Sequence, residues 1–235
     1  MRIGLAVCES VNNDIAFNLS QIEKAMCAAQ GTVDLLCFGE AFLQGFDSLN
    51  WDYENDKLIA VSTDSDIMRQ LCNLTLRYQV DLLLGYIEAC GDTIYSSCAV
   101  IESGRLICNY RRISRGWKEY SITDQHYREG TGPANFLYHG QLMTIALCGD
   151  LWDFPELFKT DGLLLWPVYL NFELEQWAAA EADYAAQANL AAHKALMVNP
   201  ISKDPVSYGG AFYFVDGTIQ KKLAYGAEGI LTVEI

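Results

Sequence analysis

The feature that most constrains this chain is the alternation of short apolar runs with helix-like segments that are apolar along one side. Residues 3–8 form such a run, and residues 12–30 follow with apolar positions three and four apart, the spacing of a helix that buries one face. The order recurs with a strand at 33–38, a helix at 65–78 and a strand at 80–88. This rhythm predicts βαβ units, whose parallel strands are covered by helices.

A hairpin pattern then interrupts the rhythm. Strand-like runs at 97–102 and 105–110 flank Ser103-Gly104, which has the chemistry of a tight turn, and residues 113–135 lack a clear period and predict a long surface connection. Further strands are expected at 136–138, 142–147, 162–166, 196–199, 210–215 and 229–234, with a helix at 173–193. The sequence therefore predicts an α/β fold in which two mixed sheets pack face to face, with residues 1–235 as a single domain.

Composition excludes several classes of partner. The net charge of −14 argues against a nucleic-acid surface, because phosphate neutralisation needs clustered basic residues. The start of the chain lacks the pattern of an export signal, and no apolar stretch approaches the ~18 residues of a membrane span. The eight cysteines contain no Cys-x-x-Cys pair. We therefore expect a reduced, cytoplasmic protein that binds neither nucleic acid nor membrane.

Cys148 stands where an apolar strand meets a turn. The run 143–147 delivers it directly before Gly149 and Asp150, and a short helix is expected to follow. Backbone N–H groups that converge at a helix start stabilise a thiolate and are placed to hold an oxyanion. The alternative is that Cys148 is a small buried hydrophobic residue, which is how we interpret the other seven cysteines.

Two charged residues also follow strands. Glu40 succeeds the apolar run 34–39, where a carboxylate is costly to bury without a partner, the setting of a general base, although a helix-start carboxylate is the alternative. Arg112 ends the strand after Tyr110, and a solvated basic cluster is its alternative. Because open α/β sheets place their sites at strand ends, Glu40, Arg112 and Cys148 are predicted to meet there. His126, His139 and His193 show no ligand spacing, so no metal site is expected.

Three ordered segments carry a family resemblance: 35–40, which ends in Gly39-Glu40; 110–113, which contains Arg111-Arg112; and 148–156, which begins Cys148-Gly149-Asp150. Together they resemble the nitrilase superfamily of carbon–nitrogen hydrolases. The resemblance implies a four-layer αββα sandwich of two mixed sheets, a homodimer, and a Glu-Lys-Cys catalytic set that uses no cofactor. It gives Glu40 the place of the general base and Cys148 that of the nucleophile. Arg112 holds the place of the family's lysine.

The resemblance also implies a reaction and supporting residues. A small amide or nitrile is hydrolysed through a thioester, with release of ammonia or an amine. The Cys-Gly-Asp-Leu-Trp opening is similar to the glutamine-amidase domain of NAD synthetases. We expect support for the catalytic set from Lys118, Glu119, Gly149, Asp150 and Trp152. Two alternatives stay open: a catalytically silent member that binds a small carboxylate or a partner, and an unrelated α/β binding protein, although no Gly-x-Gly-x-x-Gly follows the first strand.

Overall fold

The computed structural model describes residues 1–235 and contains two mixed sheets of six strands each. The strands are β1 (Arg2–Val7), β2 (Leu35–Cys37), β3 (Asp81–Cys90), β4 (Thr93–Glu102), β5 (Arg105–Arg111), β6 (Ala134–Tyr138), β7 (Gln141–Ile145), β8 (Thr160–Pro167), β9 (Ala192–Lys203), β10 (Val206–Val215), β11 (Thr218–Lys222) and β12 (Gly229–Glu234). The helices are α1 (Ile15–Ala29), α2 (Tyr53–Asp56), α3 (Asp66–Tyr78), α4 (Asp150–Asp153) and α5 (Leu174–Asn189), with 3₁₀ turns at Phe46–Ser48 and Pro155–Phe158.

The strand order confirms the mixed sheets predicted from the sequence. The first sheet runs β12-β1-β2-β3-β4-β5 and the second β11-β10-β9-β8-β7-β6. In the first sheet β1, β2 and β3 are parallel, and in the second β7, β8 and β9 are parallel. The hairpin expected at Ser103-Gly104 joins β4 to β5, with Glu102 opposite Arg105.

The central strands of both sheets are buried on both faces, which explains their long apolar runs, such as residues 82–84 of β3 and 163–166 of β8. On β3, Leu82 and Leu84 pack in the cluster that includes α1 and α3, whereas Leu83 lies in the core shared by the two sheets. This alternation follows from the period of two along a strand. On the other side α5 places Trp177 and Tyr184 against the second sheet. The layers are therefore helix, sheet, sheet and helix, as expected.

The helix boundaries follow from local capping. The first helix begins at Ile15, later than the expected residue 12, because Asp14 accepts a hydrogen bond from the N–H of Phe17 at 2.9 Å. Helix α5 begins after a reciprocal capping pair between Glu173 and Gln176 and ends at Asn189. The short helix expected after Cys148 is α4. The sequence did not predict β11 or α2, which at five and four residues are too short to show a period. No helix combines the length and the apolarity that a membrane span requires.

Candidate active site

The chain brings a buried ion pair to the ends of two strands of the first sheet. Glu40 follows β2 and is fully buried, and Arg112 follows β5 with 2% of its side chain exposed. Arg112 Nη1 donates to Glu40 Oε1 at 2.8 Å, and the hydroxyl of Ser96 on β4 donates to the same oxygen at 2.9 Å. Arg112 Nε donates to Ser114 Oγ at 2.7 Å. Burial lowers the pKa of Arg112, but the negative charges around it, that of Glu40 first, together with the hydrogen bond to Glu40, hold that pKa above its usual range.

The backbone of Glu40 is fixed by both sheets. Its N–H donates to the carbonyl of Val168, which follows β8 in the second sheet, at 3.1 Å. On the neighbouring β3, Gly85 makes room for it, because a Cβ at that position would lie 2.7 Å from the Cα of Glu40. The carboxylate is therefore held at the junction of the sheets by main-chain contacts as well as by its ion pair.

Glu40 uses only one of its two carboxylate oxygens. Oε1 accepts both hydrogen bonds, whereas Oε2 is buried and has no hydrogen-bond partner. A buried oxygen without a partner costs about 1–3 kcal/mol, so an unsatisfied atom in a native structure calls for an explanation. The explanation that we develop below is that this site needs a free proton acceptor.

Glu88, on the adjacent strand β3 of the same sheet, is the structural counterpart of Glu40. Because successive residues point to opposite faces, Ser97 and Arg111 bind Glu88 while their neighbours bind Glu40. Arg111 Nη2 donates to Glu88 Oε1 at 2.6 Å, and Ser97 Oγ donates to Oε2 at 2.6 Å. Both oxygens of Glu88 are thus occupied, so the free oxygen of Glu40 does not follow from this type of ion pair.

Cys148 lies in a sharp turn after β7. Its φ of 41° is in the left-handed region, which is costly for a residue other than glycine. The turn is held by the Cys148 N–H, which donates to the carbonyl of Pro167 at 2.9 Å, and by Trp166 Nε1, which donates to the Cys148 carbonyl at 2.8 Å. The thiol points to the carbonyl of Tyr169, with Sγ 3.8 Å from that oxygen. The neighbouring strand β8 and the residues after it thereby fix the position of the sulfur.

The environment of Cys148 keeps its thiol protonated. Burial and then the negative charge of Glu40 raise the pKa of Cys148 to about 12, and the charge of Arg112 opposes them. The sequence suggested instead a thiolate stabilised at a helix start. The helix that follows, α4, has only four residues, and burial together with the charge of Glu40 sets the direction of the shift.

Asp150 joins the Cys148 turn to the segment that follows Arg112. Its Oδ2 accepts from the N–H of Leu147 at 2.8 Å and from the hydroxyl of Tyr110 at 2.5 Å. Its Oδ1 accepts from the N–H groups of Ile113 and Ser114 at 3.1 and 2.8 Å. Asp150 is fully buried, and burial raises its pKa while these hydrogen bonds and Arg112 lower it. One side chain therefore links the Cys148 turn to the segment that carries the Arg112 guanidinium.

Two hydrogen-bond donors beside Cys148 are unused within the chain. The N–H of Gly149 makes no hydrogen bond to another residue. The guanidinium of Arg112 is engaged through Nε and Nη1, and Nη2 makes none. Both groups lie next to the Cys148 turn, where they are suited to stabilise an oxyanion.

The other expected supporting residues lie elsewhere. Lys118 pairs with Glu129 at 3.1 Å and is not among the charges that affect the Cys148 thiol. Glu119 is exposed and accepts hydrogen bonds from Ser121, which lower its pKa. Trp152 is 43% exposed and packs its ring edge-on against Tyr184. The structure thus brings Glu40, Arg112, Cys148, Gly149 and Asp150 together but not Lys118, Glu119 or Trp152.

Sequence reasoning missed three residues of the site: Ser96, Ser114 and Tyr169. For Ser96 a signal was present, because Ser96-Ser97 are two polar residues in the middle of an otherwise apolar strand. Buried hydroxyls need partners, so adjacent serines indicate polar groups on both faces of the sheet. Tyr169 acts through its carbonyl and left no signal in the sequence.

One acid–histidine group lies at the other end of the first sheet. The ligand atoms of Asp81, Glu102 and His139 lie within 4.8 Å of one another. Asp81 already accepts hydrogen bonds from the Ser103 N–H and the Tyr138 hydroxyl. It begins β3, whereas Glu40 follows the end of the parallel β2, so this group is separate from the site around Cys148.

The family model "Carbon-nitrogen hydrolase" matches residues 2–235, so the chain belongs to the carbon–nitrogen hydrolase family. Among curated relatives, it is 23% identical over 131 residues to an arylacetonitrilase from Aspergillus niger, covering 52% of this chain and 39% of that protein. It is 24% identical over 159 residues to the glutamine-dependent NAD(+) synthetase of Thermotoga maritima, covering 65% of this chain and 26% of the synthetase. The matches therefore span less than half of either relative.

Solved structures show the same fold. A CN-hydrolase superfamily protein from Xanthomonas campestris superposes with a TM-score of 0.80 at 16% identity, over 99% of this chain and 89% of that one. An amidase from Nesterenkonia, in which acrylamide has added to the active-site cysteine, gives a TM-score of 0.79 at 19% identity, over 100% and 93% of the two chains. The predicted nitrilase-like architecture is thereby confirmed.

The role of Asp150 predicts the effect of removing its charge. In Asp150→Asn, an amide nitrogen replaces one acceptor oxygen and faces backbone N–H donors, so we expect a loss of about 2–3 kcal/mol in unfolding free energy. Urea unfolding measures this loss. Asp153→Asn, an exposed carboxylate on the same short helix, is the matched control and should be close to neutral. Equal unfolding free energies for the two variants would contradict the role assigned to Asp150.

The raised pKa of Cys148 predicts that no thiolate forms near neutral pH. Thiolate absorbance at 240 nm, taken as the difference between the wild type and Cys148→Ala, should show no step from pH 6 to 9, since the thiol pKa is about 12. Glu40→Gln removes a negative charge that raises this pKa, so the step should move to lower pH. A wild-type step below pH 8, or a Glu40→Gln step at higher pH, would show that this electrostatic description is wrong.

Proposed function

We propose that this chain is a cysteine-dependent hydrolase that cleaves a non-peptide carbon–nitrogen bond in a small amide or nitrile. The observation that carries the proposal is the free Oε2 of Glu40, buried next to the Cys148 thiol, when the equivalent oxygen of Glu88 is occupied. A protonated thiol beside an unpartnered carboxylate oxygen is the arrangement that a nucleophile and its general base require. Membership of the carbon–nitrogen hydrolase family and the amidase fold support the same chemistry.

In the first step Glu40 Oε2 takes the thiol proton while Cys148 Sγ forms a bond to the substrate carbon. Because the pKa of the thiol is about 12, proton transfer accompanies attack instead of preceding it. The electron pair of the carbonyl moves to oxygen, or that of a nitrile to nitrogen. Arg112 Nη2 and the Gly149 N–H, both unused within the chain, donate to this developing anion.

In the second step the tetrahedral intermediate collapses and the carbon–nitrogen bond of an amide breaks. Protonated Glu40 returns its proton to the departing ammonia or amine, which leaves an acyl group on Cys148 as a thioester. Glu40 then accepts a proton from water as the water oxygen attacks this carbon. The carbon–sulfur bond breaks, the acid leaves, and the thiol recovers its proton. Each step uses only these side chains, two N–H donors and water.

The other function left open by the sequence is binding without turnover, since Arg112 stands in place of lysine. An arginine at this place keeps the positive charge but presents a planar fork instead of a compact ammonium. In this chain Nε and Nη1 are engaged, and Nη2, which lies beside Gly149, remains as an unused donor. We therefore propose that Arg112 supports catalysis, and binding alone is an outcome of the test below.

The test is ammonia release from a panel of glutamine, asparagine, ω-amides of dicarboxylic acids and small nitriles. Wild type should release ammonia from at least one, and Cys148→Ala and Glu40→Gln should each lower kcat by on the order of 10²-fold or more. Glu88→Gln is the matched control: it removes the same charge from a similar ion pair and should lower stability without lowering kcat. The assay is run at a temperature where all variants are folded.

Three outcomes would contradict the proposal or a part of it. Ammonia release that survives in Cys148→Ala would exclude the cysteine nucleophile. Silence of the folded wild type on the whole panel, together with saturable binding of a small carboxylate by calorimetry, would favour a binding protein. An equal loss of kcat in Glu40→Gln and Glu88→Gln would remove the special role given to the free oxygen of Glu40.

We further propose that residues 1–235 form one carbon–nitrogen hydrolase domain that works in the cytoplasm as a homodimer. The two sheets share one core, which supports a single folding unit. All eight cysteines are free thiols, as a reducing compartment maintains them. Light scattering after gel filtration distinguishes a dimer from a monomer.

A further inference from the structure

Two glycines make room for the guanidinium of Arg112. A Cβ at position 149 would lie 2.5 Å from Arg112 Nη2 and 3.2 Å from Ser114 Oγ. A Cβ at position 116 would lie 3.1 Å from the same nitrogen. The backbone does not require glycine at position 149, since its φ of −65° and ψ of −11° suit any residue. The requirement at Gly149 is therefore one of space.

Arg112 has no freedom to move away from an added side chain. Nη1 is bound to Glu40 at 2.8 Å and Nε to Ser114 at 2.7 Å, and only 2% of the side chain is exposed. A planar guanidinium moves as a unit, so a shift of Nη2 by about 1 Å would also displace Nη1 from hydrogen-bond distance. A methyl group at position 149 would thus break the ion pair that holds Glu40.

We propose that Gly149 is a positioning residue that acts through Arg112, so that arginine at position 112 requires glycine at position 149. Lysine lacks the second guanidinium nitrogen and would leave the contested space empty. A side chain at position 149 should then be tolerated only when residue 112 is lysine. This inference rests on the proposed hydrolase function, but the coupling between the two positions is measurable without turnover.

The experiment compares wild type, Gly149→Ala, Arg112→Lys and the double variant. Gly149→Ala should lower kcat for ammonia release by on the order of 10²-fold in the Arg112 protein. In the Arg112→Lys protein the same substitution should change kcat by less than about threefold. Gly132→Ala is the matched control, because a Cβ there meets no atom within 4 Å, and it should leave kcat unchanged.

The urea midpoint of unfolding gives a second readout that does not need activity. Gly149→Ala should lower the urea midpoint in the Arg112 protein and leave it unchanged in the Arg112→Lys protein. If Gly149→Ala alone does not fold, a folded double variant shows the same coupling. An equal effect of Gly149→Ala in both backgrounds, or no effect in the Arg112 protein, would overturn the inference. Absence of ammonia release from wild type would instead count against the proposed function, and the midpoints would still decide the coupling.

Discussion

The ion pair between Glu40 and Arg112 is the interaction on which the rest of the site depends. Either charge alone would cost several kcal/mol to bury at this depth, so each is retained because the other is present. The geometry of the pair also decides which atoms remain available. Binding through Oε1 leaves Glu40 Oε2 without a partner, and binding through Nη1 and Nε leaves Arg112 Nη2 as a donor. One contact thus stabilises the buried charges and leaves two groups free: a carboxylate oxygen that can accept a proton and an N–H group that can donate a hydrogen bond to an anion.

The sheets bring these atoms to Cys148, the proposed nucleophile. Glu40 follows β2, Arg112 follows β5, and Cys148 follows β7 of the other sheet, so the site lies where strand ends of both sheets meet. The same burial that strengthens the ion pair raises the pKa of the Cys148 thiol. The resting protein therefore holds a thiol, and the proposed mechanism depends on proton transfer to Glu40 when a substrate is present. The ion pair of Glu88 with Arg111 shows that the same sheet also forms a pair in which both carboxylate oxygens accept hydrogen bonds.

The sequence predicted the features that have a period or a recognisable motif. Apolar spacing indicated the two mixed sheets and the long helices, and the motif residues Glu40, Arg112 and Cys148 lie in one site, although their catalytic roles remain predictions. Adjacent Ser96 and Ser97 indicated buried polar partners, but the sequence could not predict which charge each serine binds, because that pairing depends on strand register. Ser114 lies in the irregular segment after β5, where no period exists. The sequence also could not predict the positions of loop side chains. Lys118, for example, is held by Glu129, which lies in the same irregular segment. The predicted direction of the Cys148 pKa shift was wrong because the shift depends first on burial of the thiol and then on a carboxylate from the other sheet, and the sequence shows neither.

The most direct test of the account is mass spectrometry of the protein quenched in acid during reaction with the best amide of the panel. We expect a mass increase equal to the amide minus ammonia, located by peptide mapping on Cys148, which disappears as the amide is consumed and is absent from Cys148→Ala. An acyl group on any other residue, or continued turnover by Cys148→Ala with no acyl group found, would contradict the assignment of Cys148 as the nucleophile.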